Sequence, residues 1–270
     1  MPTATINGLP HYYDDVGNGE ALVLLHGANG SAHAFEEHHA ELSQRFRVIA
    51  PDMRSMGRSA HVESMAHDAW VQDLRALLDY LGIVRAHVYG ISLGSRVAMR
   101  FAIEYPERVR SIILTAPHTY LIKELDSNMN RAGGDGANLP SAEQEEMRRR
   151  HGEDWLTAYR NYYNIRNKAE LQTYYNLRVS NPLHDVVGEY SDHVTRIGCP
   201  ILVLQSDDIL TRGRGTFDHA IELKNEMPEQ VRLAIVPSMA SGQGRAAIPP
   251  ALFRHHIIEF ANSLEGVAAG

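Results

Sequence analysis

The chain has 270 residues, 44% hydrophobic and 22% charged, with a formal net charge of -7; this is an ordinary globular composition, long enough for one large domain with an insertion, and it excludes a disordered chain. The acidic balance argues against nucleic acid as the main partner, which would favour a basic surface. A single cysteine, Cys199, excludes an intrachain disulfide, no apolar stretch approaches the ~18 residues of a membrane span, and Met1 to Gly8 lacks a basic segment followed by an apolar one, so a cytoplasmic protein without membrane contact is expected.

Thr3 to Val16, with Asn7-Gly8 as a turn signal, reads as a hairpin on a sheet edge. Short apolar runs follow: Ala21 to Leu25, Phe46 to Ala50, Ala86 to Tyr89, Ser111 to Thr115, Pro200 to Leu204 and Val231 to Val236. Their nearly continuous hydrophobicity suggests strands covered on both faces, as in a parallel sheet. Helical spacing appears in Asp68 to Leu81, Ser95 to Tyr105 and Leu252 to Leu264. Strand and helix in alternation predict an α/β fold with a doubly wound, mostly parallel sheet. The alternation breaks at 120–196, a charged, tyrosine-rich stretch that reads as a helical cap between core segments 1–119 and 197–270. Its aromatics, Trp155 and Tyr159 among them, are candidates to roof a pocket; packing a small core of the cap itself is the other reading. Cys199, ahead of Pro200 and an apolar run, reads as a buried structural thiol.

Gly90-Ile91-Ser92-Leu93-Gly94 fits G-x-S-x-G, and it follows a predicted strand and opens a predicted helix. Such a turn lifts a serine hydroxyl above the sheet. Glycines on either side permit close backbone approach, and the helix N-terminus directs N–H groups at developing negative charge. Two other segments end predicted strands: His26-Gly27-Ala28, and Asp52-Met53-Arg54-Ser55-Met56-Gly57-Arg58-Ser59. With Tyr105-Pro106-Glu107-Arg108-Val109, these segments resemble the α/β-hydrolase family, although Ser55 stands where that family usually has glycine. The resemblance covers both ends of the chain and not the cap. It implies Ser92 as nucleophile and the N–H groups of Ala28 and Leu93 as an oxyanion hole, with Asn29 beside the substrate pocket. Loss of one such donor typically costs roughly 3 kcal/mol of transition-state stabilisation. It also implies an acid after the strand that follows the cap: Asp208, or Asp207 as second choice. His26 is expected to hold its turn rather than to move protons.

The general base is missing from its expected place. The resemblance puts a histidine in the loop after the last strand, which here reads Val236-Pro237-Ser238-Met239-Ala240-Ser241-Gly242-Gln243-Gly244-Arg245. Ser241 occupies the expected position, with Ala240 next, and His118 is a secondary candidate from another loop. A serine hydroxyl without a base is a poor nucleophile. Three readings follow. One is a serine hydrolase of small or medium apolar esters or lactones whose histidine has been replaced. The second is a cofactor-free lyase or cyclase that uses Ser92 as a hydrogen-bond donor, and the third a ligand-binding protein. Histidine spacing gives no metal-site signature, so no metal or cofactor is required. A small molecule is the expected partner, with homo-oligomerisation left open.

Overall fold

The structure, a computed structural model, describes residues 3–27, 30–62, 66, 68–117, 194–207, 216–240 and 246–265. Eight strands form one sheet: β1 (Thr3–Ile6), β2 (Leu9–Val16), β3 (Glu20–Leu25), β4 (Phe46–Pro51), β5 (Ala86–Ile91), β6 (Val109–Thr115), β7 (Ile201–Ser206) and β8 (Val231–Val236). Their spatial order is β1-β2-β4-β3-β5-β6-β7-β8. The expected edge hairpin is present: β1 and β2 pair antiparallel, and β2 joins β4 antiparallel. From β4 through β8 all pairings are parallel.

The helices are α1 (Glu36–Leu42), α2 (Ala69–Tyr80), α3 (Leu93–Glu104), α4 (Thr216–Glu226) and α5 (Pro250–Glu265). Strand side chains alternate between two apolar cores because successive residues point to opposite faces. Val23, Val88, Ile112 and Val203 pack with Trp70, Leu74, Val97, Phe101 and Leu223 of α2, α3 and α4. Leu22, Leu24, Tyr89, Ile113 and Leu202 pack on the other side with Leu42, Phe253, Ile257 and Phe260 of α1 and α5. Both faces are covered, so the central strands carry apolar residues facing both ways, as in residues 21–25 of β3. Cys199 is buried, and burial pushes its thiol up to about 11, as suits a packing residue.

Helices α1 and α4 do not show in the hydrophobic pattern, although the family resemblance implies a helix between the His26-Gly27 turn and β4, where α1 lies. In α1 the sequence is Glu-Glu-His-His-Ala-Glu-Leu, and only His38 and Leu42 are buried. A third departure follows β8, where β9 (Met239–Ala240) and β10 (Ala246–Ala247) pair as a small antiparallel hairpin. The expected cap at 120–196 lies almost wholly outside the described residues. Among the described residues no helix is long and apolar enough to cross a membrane.

Candidate active site

Parallel strands end on a common edge, so the loops after β3 to β8 are neighbours. That edge collects His26-Gly27 after β3, Asp52 after β4, Ser92 after β5, Ala116 after β6, Asp207 after β7 and Ser238 after β8. Ser92 is the single residue between β5 and α3. Its backbone lies at φ 52 and ψ -110, in territory an L-residue enters only at a cost of order 1–3 kcal/mol. The surroundings hold it there. Its N–H donates to Thr115 O on β6 at 3.0 Å, and its carbonyl accepts the Ser95 N–H at 3.1 Å.

Two glycines make the turn sterically feasible. A Cβ on Gly90 would strike the backbone of Gly94 and Ser95; one on Gly94 would strike the Leu25 and His26 carbonyls. The chain crosses so closely here that the elbow of β5 and α3 sits directly on the end of β3. Gly27 completes the contact, since a Cβ there would stand 3.6 Å from Ser92 Cβ. Leu93 is the first residue of α3 and is buried, and first-turn amides have no acceptor inside their own helix. The arrangement therefore offers a hydroxyl beside backbone donors, at the positive end of a helix.

His26, at the end of β3, is committed to its own turn. It is 1% exposed. Its Nε2 accepts the Met53 N–H at 3.0 Å, which leaves Nδ1 as the protonated nitrogen, donating to Gly27 O at 2.8 Å. Burial lowers its pKa and keeps it neutral. With both nitrogens occupied, His26 is a turn-holding residue. His87 is the second residue of β5, toward the opposite end from Ser92 and about 16 Å away at strand rise.

Asp52 is fully buried. Its Oδ1 accepts the Ala32 N–H at 2.6 Å, and its Oδ2 accepts the Arg58 N–H at 2.7 Å and Nε–H at 3.1 Å. Sequence reasoning treated Asp52 as part of a segment and missed this bridge; its position directly after β4 was the available signal. Ser55 takes the left-handed φ of 63 that a glycine would adopt freely. The turn around it is closed by Ser55 N–H to Ala60 O at 2.8 Å and Val62 N–H to Ser55 Oγ at 3.2 Å. These bonds explain how serine is accommodated there.

Of the residues singled out from sequence, Ser92 and Leu93 come together at the elbow, and Asp207 lies on the same edge. Asp207 is exposed; its Oδ1 accepts the Ser238 N–H at 2.8 Å and its own N–H donates to Val236 O at 3.0 Å. It thereby fastens the end of β7 to the turn after β8. Ala240 ends β9. Ala28, Asn29, His118, Trp155, Tyr159, Asp208 and Ser241 lie outside the described residues. Among the described residues no group of three or more His, Cys, Asp or Glu side chains could hold a metal ion.

A family model for the alpha/beta hydrolase fold matches residues 20–207. A stretch of 113 residues is 36% identical to a 2-hydroxy-6-oxo-6-phenylhexa-2,4-dienoate hydrolase of Comamonas testosteroni, covering 39% of each chain. An uncharacterized protein of Mycobacterium tuberculosis is 36% identical over 113 residues, covering 42% of this chain and 33% of that one. The matched stretch thus spans well under half the length of these relatives. Among solved structures, an enol-lactonase from Burkholderia xenovorans superposes with a TM-score of 0.75 at 19% identity, over 97% of this chain and 100% of that one. A thermophilic esterase from Thermogutta terrifontis gives 0.73 at 21%, over 97% and 98%.

Proposed function

The chain belongs to the alpha/beta hydrolase fold family, and from that premise we propose that it is a serine hydrolase of small or medium apolar esters or lactones, present in a form without its catalytic histidine. The observation that carries the proposal is the strained backbone of Ser92, held at φ 52 where β5 meets α3. A residue kept in such a conformation at a loop edge serves nucleophilic attack better than it serves packing. In this reading the Ser92 hydroxyl adds to the substrate carbonyl, while the amides of Leu93 and Ala28 receive the developing oxyanion. Asp208 would orient the base, and Ser241 stands where that base belongs. Asp207 is the weaker acid candidate, because one of its oxygens already binds the Ser238 amide. The apolar substrate class rests on the aromatic stretch that includes Trp155 and Tyr159.

The named relatives and structural neighbours include hydrolases with different substrates. The substrate panel should therefore contain p-nitrophenyl esters, aliphatic lactones and a 2-hydroxy-6-oxo-dienoate. The test compares this chain with Ser241→His and Ala240→His. Restoring the base at the right position should raise kcat/KM by at least ~10²-fold on one substrate, the scale expected when a triad member is returned. Ser92→Ala in the restored chain should abolish the gain. No gain from either histidine would overturn the hydrolase reading and leave a lyase or a binding protein as the explanation.

A further inference from the structure

We infer that Asp52 is a positioning residue for the oxyanion loop, acting through the Ala32 amide, with His26 as its counterpart at the loop's other end. The inference rests on the serine-hydrolase reading for its chemistry but on independent geometry for its mechanics.

The loop after β3 is held at two points, and both lead to the end of β4. At its start, His26 Nδ1–H donates to Gly27 O, and His26 Nε2 accepts the Met53 N–H at 3.0 Å. At its finish, the Ala32 N–H donates to Asp52 Oδ1 at 2.6 Å. Between them the Gly30 N–H donates to Gly27 O at 3.1 Å. Gly27 in turn lies against Ser92. The two described ends of the loop are thus held by two consecutive residues, Asp52 and Met53. A buried carboxylate with three N–H donors makes a stiff support, because charge-assisted bonds in a dry setting are roughly twice as strong as neutral ones.

The carboxylate is chemically necessary for this role. Oδ1 serves Ala32, and Oδ2 serves two donors on Arg58, whose guanidinium also lies 3.3 Å over the Tyr12 ring. An asparagine has only one accepting oxygen. Turned toward Arg58, it would aim its NH₂ group at the Ala32 N–H, and two donors face to face push the loop off its seat. The contact can also be broken from the other partner. Ala32 is the first residue of a short 3-10 helix (Ala32–Phe35) and follows Ser31 at φ -156 and ψ 174. That extended conformation suits a residue before proline, and the first helical position accepts proline. Ala32→Pro therefore deletes the donor while leaving Asp52 in place.

The test labels Ser92 with a fluorophosphonate in the parent chain, Asp52→Asn, Ala32→Pro and Arg58→Met. Folding is checked by circular dichroism and thermal melts. Both variants of the Asp52–Ala32 contact should slow the saturated labelling rate at least tenfold, with less than threefold change in the probe concentration giving half that rate. Arg58→Met, which keeps both the Ala32 bond and the Arg58 amide, should stay within threefold of the parent in both quantities. Amide exchange at Gly30 should accelerate at least tenfold in Asp52→Asn and Ala32→Pro alone. Labelling rates within twofold of the parent, or a loss as large in Arg58→Met, would overturn the inference. If the parent, which lacks the base, does not label, the same variants are compared in the Ser241→His or Ala240→His chain; if neither restored chain labels, the hydrolase reading fails, and exchange at Gly30 decides the positioning role: unchanged exchange overturns it.

Discussion

Glycines of this chain differ by what a methyl group would meet. At Gly94 a Cβ would run into the carbonyls of Leu25 and His26, and neither strand nor helix can move without breaking the elbow. Gly94→Ala should therefore cost about 3 kcal/mol, the upper range of overpacking penalties. Gly82 has φ +65 but nothing within 4 Å, so alanine there should cost only the left-handed strain, about 1 kcal/mol. Gly198 has open space and no such φ, and Gly198→Ala should be neutral or stabilising by up to about 1 kcal/mol. Calorimetric melts of the three variants check the order; a Gly94→Ala protein as stable as Gly198→Ala would refute it. The motif was legible in the sequence for this same reason, since close contact leaves only one residue type. Asp52 was not legible as a support. An aspartate after a strand can face solvent as readily as bridge two loops, and the partner amides leave no trace in side-chain identity.

Elements with an apolar stripe or run were visible from residue pattern alone, and those without one were not. Helix α2 carries Trp70, Leu74, Leu77 and Leu78 to the core, and its spacing predicted it. Helix α1 is held by few buried side chains, and β9 and β10 are two residues each. Local hydrophobicity cannot report such elements, because their stability comes from what they pack on. One further tie at this scale concerns Asp73 of α2. Its carboxylate receives Arg54 Nε at 2.8 Å and Nη2 at 2.5 Å, Asn7 Nδ2 at 2.9 Å and contacts His11 Nε2 at 3.2 Å. Burial opposes its ionisation, but the hydrogen bonds from His11, Arg54 and Asn7 prevail and hold its pKa below the ordinary carboxylate value. The edge hairpin, the loop after β4 and α2 all converge on this one group. Asp73→Ala would leave a buried guanidinium unpaired, at a cost of about 3–5 kcal/mol. Urea unfolding measures it, and a loss below about 1 kcal/mol would show that the hub is redundant.

For the molecule as a whole, buried histidines set the response to acid. Burial pushes His87 and His38 each down to about 4 and lowers His26 as well. A base whose folded pKa lies below its unfolded value stays neutral in the fold while the unfolded chain takes up protons. Stability is then complete above the unfolded value of 6.5 and declines as pH falls from 6.5 toward 4. His87 is 3% exposed, with Nδ1 against Ser111 Oγ at 2.8 Å and Nε2 buried 3.7 Å from Glu20. It alone should contribute up to about 3 kcal/mol of that decline. Unfolding free energies at pH 7.5 and 4.5 test the point, and a flat profile would refute it. The strands of the sheet and its mostly parallel character were readable from six apolar runs because buried parallel strands leave so plain a mark.

The way the elbow is anchored bears on how the protein could change over generations. Gly90, Ser92 and Gly94 are welded into the packing of β3, β5 and α3. Selection for a folded chain alone would keep the elbow's shape. In the proposed reading the base position, Ser241, follows β9 in sequence, a strand of only two residues that pairs with β10. A lineage could therefore lose its base in one step, keep an intact-looking elbow indefinitely, and regain the activity by a single reversion.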